Sequence, residues 1–209
     1  MKLSNLNTIR HPKVICIGEA LVDRLGPLGG DPSNKKFNED CLGGAPANVA
    51  CALSRLGNNV AFIGRLGEDR IGSQFKELMS QRKINLDALQ FDNQRPTRVV
   101  LVRRDLKGER TFEAFEGDRG NGFSDESLEL ERIMQTWPLI SKEAEWLLIG
   151  TIPFAFKSSA ESVLWALNQS IVQIFHAHGS LSLPWKGTQV SPGGKDLFHK
   201  NRSFKRSLP

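Results

Sequence analysis

Three short, continuously apolar runs, Val14-Ile15-Cys16-Ile17, Val60-Ala61-Phe62-Ile63 and Trp146-Leu147-Leu148-Ile149, most constrain what this chain folds into. A strand that meets water on one side alternates polar and apolar residues, whereas a strand with no polar face has to be covered on both sides. Helical patterns separate the runs. Val49, Ala52, Leu53 and Leu56 recur at i, i+3, i+4 and i+7 behind Pro46, and Gly57 follows as a stop. Ile71, Phe75, Leu78 and Met79 mark a second amphipathic helix. Residues 124–140 read as a third, with Ser124 as N-cap, and residues 158 to about 172 as a fourth. Strands alternating with helices imply an α/β fold around a parallel sheet.

Residues 97–104 and 109–116 behave differently, alternating polar and apolar positions on either side of Asp105-Leu106-Lys107-Gly108. That pattern predicts an antiparallel hairpin with one exposed face. Residues 26–34 read as a Gly/Pro-rich loop and residues 35–41 as a polar extended stretch. Past about residue 173 neither helical nor strand periodicity persists, and three of the four histidines (His176, His178, His199) gather there. His176-Ala177-His178 lacks a third ligand at useful spacing, so no metal site is assigned. The expected organisation is an N-terminal extension over 1–12, an α/β domain over 13–173 and an unrelated, basic, disordered tail over 174–209.

Charge narrows the partners. The net charge is +5, yet 22 of 28 basic and 22 of 23 acidic residues lie in residues 1–173, which leaves that domain neutral. It lacks the basic face that a nucleic-acid binder presents, so no nucleic-acid partner is expected. No apolar run approaches the roughly 20 residues of a membrane span, so no membrane partner is expected either. The polar start and three cysteines without a CxxC pair fit a reduced, cytoplasmic setting.

Candidate chemistry gathers where open α/β sheets bind ligands, beyond the carboxyl ends of the strands. Asp23 is expected just past the first strand, where a carboxylate accepts hydrogen bonds from vicinal hydroxyls; a solvated loop aspartate is the plain alternative. Gly43-Gly44 lets a ligand approach the backbone at a helix start, and Asn48 adds a donor and an acceptor in the first turn. A simple turn into a helix is the alternative there. A phosphate-binding turn is a weaker one, because neither G-x-G-x-x-G nor G-x-x-x-x-G-K-[ST] occurs.

Gly43-Gly44-Ala45-Pro46-Ala47-Asn48-Val49-Ala50, with Gly57 and Gly67 at their spacings and the continuation Phe62-Ile63-Gly64-Arg65-Leu66-Gly67-Glu68-Asp69-Arg70-Ile71-Gly72, resembles the N-terminal signature of the ribokinase-like (PfkB-type) carbohydrate kinases. Gly18-Glu19-Ala20-Leu21-Val22-Asp23 resembles the first strand and turn of the fructokinases, and residues 97–115 resemble their lid hairpin. The likeness covers residues 13–173. It implies a ribokinase-like parallel sheet flanked by helices, with a small β lid over about 31–42 and 97–117. The implied reaction is ATP-dependent phosphorylation of a sugar hydroxyl, fructose to fructose 6-phosphate, with ATP and Mg2+ as cofactors. A homodimer through the lid is implied as well.

Carried onto this sequence, the resemblance makes Asp23 and Asn48 ligands of sugar hydroxyls, and Gly43 and Gly44 hinge and close-contact residues. It makes Phe112 a lid contact, with packing in the hairpin as the alternative, and places Gly150 on the pocket floor. No catalytic residue is assigned. The family's late Gly-Ala-Gly-Asp segment, its Asp-x-Asn-x-Arg strand and its Asn-x-x-Glu motif do not occur, and Ser191-Pro192-Gly193-Gly194-Lys195-Asp196 is a superficial echo of the first. The expectation is therefore a domain truncated after about half of the family's length, catalytically incomplete, with ATP and Mg2+ contacts unassigned in this chain. The alternative function is a non-catalytic sugar-binding or regulatory remnant.

Overall fold

The computed structural model describes residues 11–32 and 38–177, with side chains to residue 170. Most of the expected N-terminal extension, residues 33–37 of the first lid segment and the tail from residue 178 lie outside the described residues. The described residues up to Ile174 form one compact unit.

Strand β1 (Val14–Ile17) is the spine of the first sheet. It pairs in parallel with β4 (Val60–Gly67) on one side and β8 (Trp146–Ile149) on the other. With β5 (Leu89–Asp92) beyond β4, the sheet order is β5-β4-β1-β8. Alternation along β1 then separates two cores. Val14 and Cys16 pack with Ala47 and Ala50 of helix α1 (Ala45–Arg55) and with Phe75 and Met79 of α2 (Arg70–Gln81). Ile15 and Ile17 pack with Ile133, Trp137 and Ile140 of α3 (Leu130–Ile140) and with Val163 and Ala166 of α4 (Lys157–Ala177). Both faces are covered, as the unbroken apolar run requires. Each fully buried Val, Ile, Phe or Met among them contributes about 1.5–3 kcal/mol.

The fourth strand of this sheet, β5, has no apolar signature. Its fully buried residues are Gln90 and Asp92, 2% and 3% exposed, while Leu89 and Phe91 pack half-buried against the core on the other face. The Gln90 side chain compensates by bonding both ways with Glu129: its Nε2 donates to the Glu129 carbonyl at 2.9 Å and its Oε1 accepts from Glu129 N–H at 2.8 Å. At the opposite edge β8 pairs with β1 alone among the described residues, and Trp146 is 71% exposed.

A second sheet, of order β3 (Glu39–Gly43), β2 (Leu21–Leu28), β6 (Val99–Arg104) and β7 (Arg110–Glu116), stands apart from the first. Strands β6 and β7 form the predicted hairpin. The sequence reading fails at β2. Residues 21–28, expected as a turn and a Gly/Pro-rich loop, form this strand. Its partners are β3, antiparallel, and β6, parallel and more than seventy residues away. Local propensity carries no trace of such a partner. The register shifts between Leu25 and Leu28, around Gly26 and Pro27. A bulge is where a strand tolerates a proline.

The third helix also differs. Residues 124–127 make a separate 3-10 turn, and α3 begins only at Leu130. Ser124 does not cap it; its hydroxyl donates to the Arg65 carbonyl at 3.1 Å. Tertiary partners take the amides that a continuous helix would use, with Leu128 N–H donating to Ser159 Oγ and Glu129 N–H to Gln90 Oε1. Helix α4 continues five residues beyond the expected end, to Ala177.

Candidate functional site

The carboxyl ends of β1, β4 and β8 converge on one spot. Gly18 N–H donates to the Ile63 carbonyl at 3.0 Å and Gly150 N–H to the Ile17 carbonyl at 2.8 Å, carrying the sheet pairing one residue past the strands. A methyl group on Gly150 would press into Glu19 Oε2 and lie 2.6 Å from Pro46 Cγ. Gly44, at φ +94°, lies against the backbone of Glu19 and Ala20. Glu19 therefore sits between Gly44 and Gly150, both of which the resemblance assigns to the pocket.

Asp23 is not past a strand end but inside β2. It stands opposite Cys41 of β3 and Val100 of β6, and Val100 stands opposite Phe115 of β7. Side chains of directly paired residues share a face, so these four make one row across the second sheet. The Asp23 carboxylate lies at the edge of Gly43, where an added Cβ would be 3.3 Å from Oδ2. Asp23, Gly43 and Gly44 are thus contiguous. Asn48 projects, exposed, from the first turn of α1, and its own N–H donates to the Gly44 carbonyl at 2.9 Å.

Phe112 is 57% exposed, and its place is set by an irregularity in the hairpin. Strict alternation would put Phe112 and Phe115 on opposite faces, because they are three residues apart. The register shift between Leu101 and Val102 leaves Glu113 unpaired, which returns both rings to one face with centroids 5.1 Å apart. Phe115, missed in the sequence, is the nearer of the two to Asp23 in the pairing. The only signal for it was aromatic character in an exposed strand.

The opposite face of the second sheet is charged. Arg24 donates to both Asp40 oxygens, at 2.6 and 2.8 Å, and to Glu116 at 2.6 Å. The Arg24 hydrogen bonds hold the Asp40 carboxyl below its ordinary value. Two grooves open on this face: one of about 470 Å³ runs between β3 and α2, and one of about 310 Å³ lies beside Arg24, Thr97 and Glu116. Alternation puts Asp23 on the other side from both.

The root of β6 is pinned twice. Asp69 caps α2 by accepting from Gly72 N–H at 2.7 Å, and it also accepts from Thr97 N–H at 2.7 Å and Thr97 Oγ1 at 3.0 Å. Next to it, Arg98 donates to both oxygens of Asp125 at 2.8 Å and to Glu126 at 2.9 Å, at 4% exposure.

Glu19 was also missed as a separate residue, although it lies within a quoted motif. It is 4% exposed, and its Oε2 has no hydrogen-bond partner among the described residues. Burial raises its carboxyl above the ordinary value; backbone N–H groups, its own included, oppose this in part, and the Asp125 charge adds to it. The folded chain then holds a proton on Glu19 at pH values where the unfolded chain has released it. Stability from this group is present below the ordinary carboxylate value and is lost as pH rises through the folded value. Comparing melting temperatures of the unaltered chain and Glu19→Gln from pH 4.5 upward, the advantage of the variant should grow with pH. A gap independent of pH would contradict the assignment.

Among the described residues no group of three His, Cys, Asp or Glu side chains could hold a metal ion, and no helix is long and apolar enough to cross a membrane.

A parallel sheet covered on both faces, with a small second sheet standing over the carboxyl ends of its strands, defines a ribokinase-like α/β domain. Solved structures agree. A fructokinase from Vibrio cholerae O395, in a fructose-, ADP- and calcium-bound form, superposes with a TM-score of 0.62 at 30% identity over 77% of this chain and 47% of that one. A fructokinase from Xylella fastidiosa with bound ATP gives 0.63 at 27% identity, over 77% and 46%. In sequence, the fructokinase of Salmonella typhimurium is 39% identical over 102 residues, 49% of this chain and 31% of the relative. That of Escherichia coli is 30% identical over 170 residues, 81% and 49%. The pfkB family carbohydrate kinase signature matches residues 11–170, and the chain belongs to that family. It spans half the length, or less, of these curated relatives.

Proposed function

We propose that this chain supplies the sugar-gripping part of a fructokinase-type carbohydrate kinase, whose whole activity is transfer of a phosphoryl group from ATP, with Mg2+, to a hydroxyl of fructose. The observation that carries the reading is the adjacency of Asp23, Gly43 and Gly44 beside the carboxyl ends of the first sheet. Asp23 accepts hydrogen bonds from neighbouring hydroxyls, Asn48 adds a further polar contact, and the two glycines admit the sugar against the backbone. Gly150 forms the floor. The second sheet acts as a lid, with Phe112 and Phe115 giving it an apolar wall that excludes water. Lid-to-lid pairing into a homodimer belongs to the same reading and is supported by the exposure of Leu28 and Leu106 on that sheet. A cytoplasmic setting fits three free cysteines.

Binding is the direct test. Isothermal titration of the 209-residue chain with fructose and no nucleotide should show saturable binding. Asp23→Ala should weaken it about 100-fold, since hydrogen bonds to a charged group contribute about 1.5–3 kcal/mol each. Equal affinity in a folded Asp23→Ala variant would remove Asp23 from the site, and absence of any sugar binding by the unaltered chain would overturn the reading.

A further inference from the structure

Arg98 is a buried cation at the junction of the elements that the proposed lid has to hold together. Its carbonyl accepts from Val22 N–H at 3.0 Å, one residue before Asp23. Its guanidinium grips Asp125 and Glu126 in the 3-10 turn that follows the lid hairpin. Three aromatic rings surround the same group: Phe123 at 4.4 Å, Phe115 of the lid at 4.9 Å and Phe156 at 5.6 Å from its central carbon. Phe156 closes the turn after Gly150. Strand β2, through the main chain, and strand β7 and the Gly150 loop, through the guanidinium, thus all meet on one residue.

A buried ion pair is replaceable by apolar residues of similar volume with little loss of stability, so stability alone does not call for a guanidinium here. A guanidinium offers a rigid planar fork to two carboxylates and flat faces to rings at once; an ammonium offers neither. At 4% exposure Arg98 is shielded from direct contact with a sugar.

We propose that Arg98 is a positioning residue for sugar recognition: from a main chain paired with Asp23's strand, its side chain holds the Phe112–Phe115 wall and the Gly150 loop in one placement relative to that strand, and so sets sugar affinity through residues other than itself. This rests on the sugar-binding reading above.

Arg98→Lys separates placement from simple stability. It keeps the charge and most of the volume but loses the fork and the stacked plane. Titrated with fructose well below its melting temperature, where essentially all of the chain is folded, a merely structural role leaves the dissociation constant unchanged; positioning raises it about tenfold or more. A dye on Leu106→Cys, at the exposed tip of the hairpin, reports the lid itself. It is attached in a Cys41→Ser, Cys51→Ser background, with the Cys16 thiol inert because burial pushes it up to about 12. Its fructose-dependent emission change should shrink in Arg98→Lys.

Phe156→Leu, which trims one ring from the far side of the guanidinium, should weaken binding about three- to fivefold and serves if Arg98→Lys does not fold. Fructose affinity within twofold of the unaltered chain in either folded variant, with an unaltered lid signal, overturns the positioning role alone. Absence of fructose binding by the unaltered chain overturns it together with the reading on which it rests.

Discussion

Replacing Gly44 with alanine should destabilise the domain by about 2–6 kcal/mol and abolish sugar binding in whatever fraction still folds. Two costs combine. Gly44 sits at φ +94°, where an L side chain is strained by about 1–3 kcal/mol. The new Cβ would also lie 2.7 Å from the Glu19 carbonyl oxygen and 3.0 Å from Ala20 Cα. Both neighbours are backbone, held by the β1 and β2 pairings, so neither can swing aside; forcing such a contact costs about another 1–3 kcal/mol. Against a total stability of about 5–15 kcal/mol, that is a large share. Gly57 provides the control. It has φ +88° but nothing within 4 Å of an added Cβ, so Gly57→Ala should show the conformational cost alone. Urea unfolding of the two variants checks the comparison, and equal losses would show that the close approach at Gly44 does not matter.

Asp125→Ala should be about as damaging, at roughly 3–5 kcal/mol, because it strands a charge rather than removing a favourable contact. Arg98 and Asp125 are 4% and 3% exposed, and burial works against the guanidinium's charge until Asp125 and Glu126 offset it. Without Asp125 only Glu126, itself 20% exposed, remains to balance it. The melting temperature should fall by about 10 °C or more. Glu113→Ala, which breaks an ion pair to Arg103 that is exposed on both sides, should change it little. A small loss in Asp125→Ala would mean that the three surrounding rings and Glu126 suffice to hold the charge.

Much of the fold was legible in short stretches, for stated reasons. The apolar runs of β1 and β4 could be satisfied only by helices on both faces, and the amphipathic stripe of α2 faces the sheet as its spacing implied. The expected stripe of α1 is corrected: Pro46, Ala47 and Ala50 turn inward, Val49 and Leu53 are half-buried, and Ala52 and Leu56 are exposed, because close packing on the sheet admits the small residues. Strand β8, at the sheet edge, is only partly covered. The β6–β7 hairpin was legible because alternation and a turn lie within twenty residues. Strand β5 was not, because its fully buried residues are Gln90 and Asp92, whose burial is intelligible only once Glu129, Arg65 and Arg95 are beside them. Ser124 looked like a cap because capping chemistry is local, while the bonds that break the helix after it come from Ser159 and Gln90.

The candidate site divides in the same way. Gly43, Gly44 and Asn48 stand in one contiguous segment, and their order alone specifies a close-approach turn opening a helix. Asp23, Phe112, Phe115 and Arg98 come together only through strand pairing. The pairing moves Asp23 from a loop into β2, and a one-residue bulge brings two rings to one face. From the sequence by itself came the layered α/β architecture and the glycine turn, since burial patterns and glycine's backbone freedom act over a few residues. Tertiary structure alone decided which charges and rings share a face with Asp23, because register between strands seventy residues apart is set by contacts that no local pattern encodes.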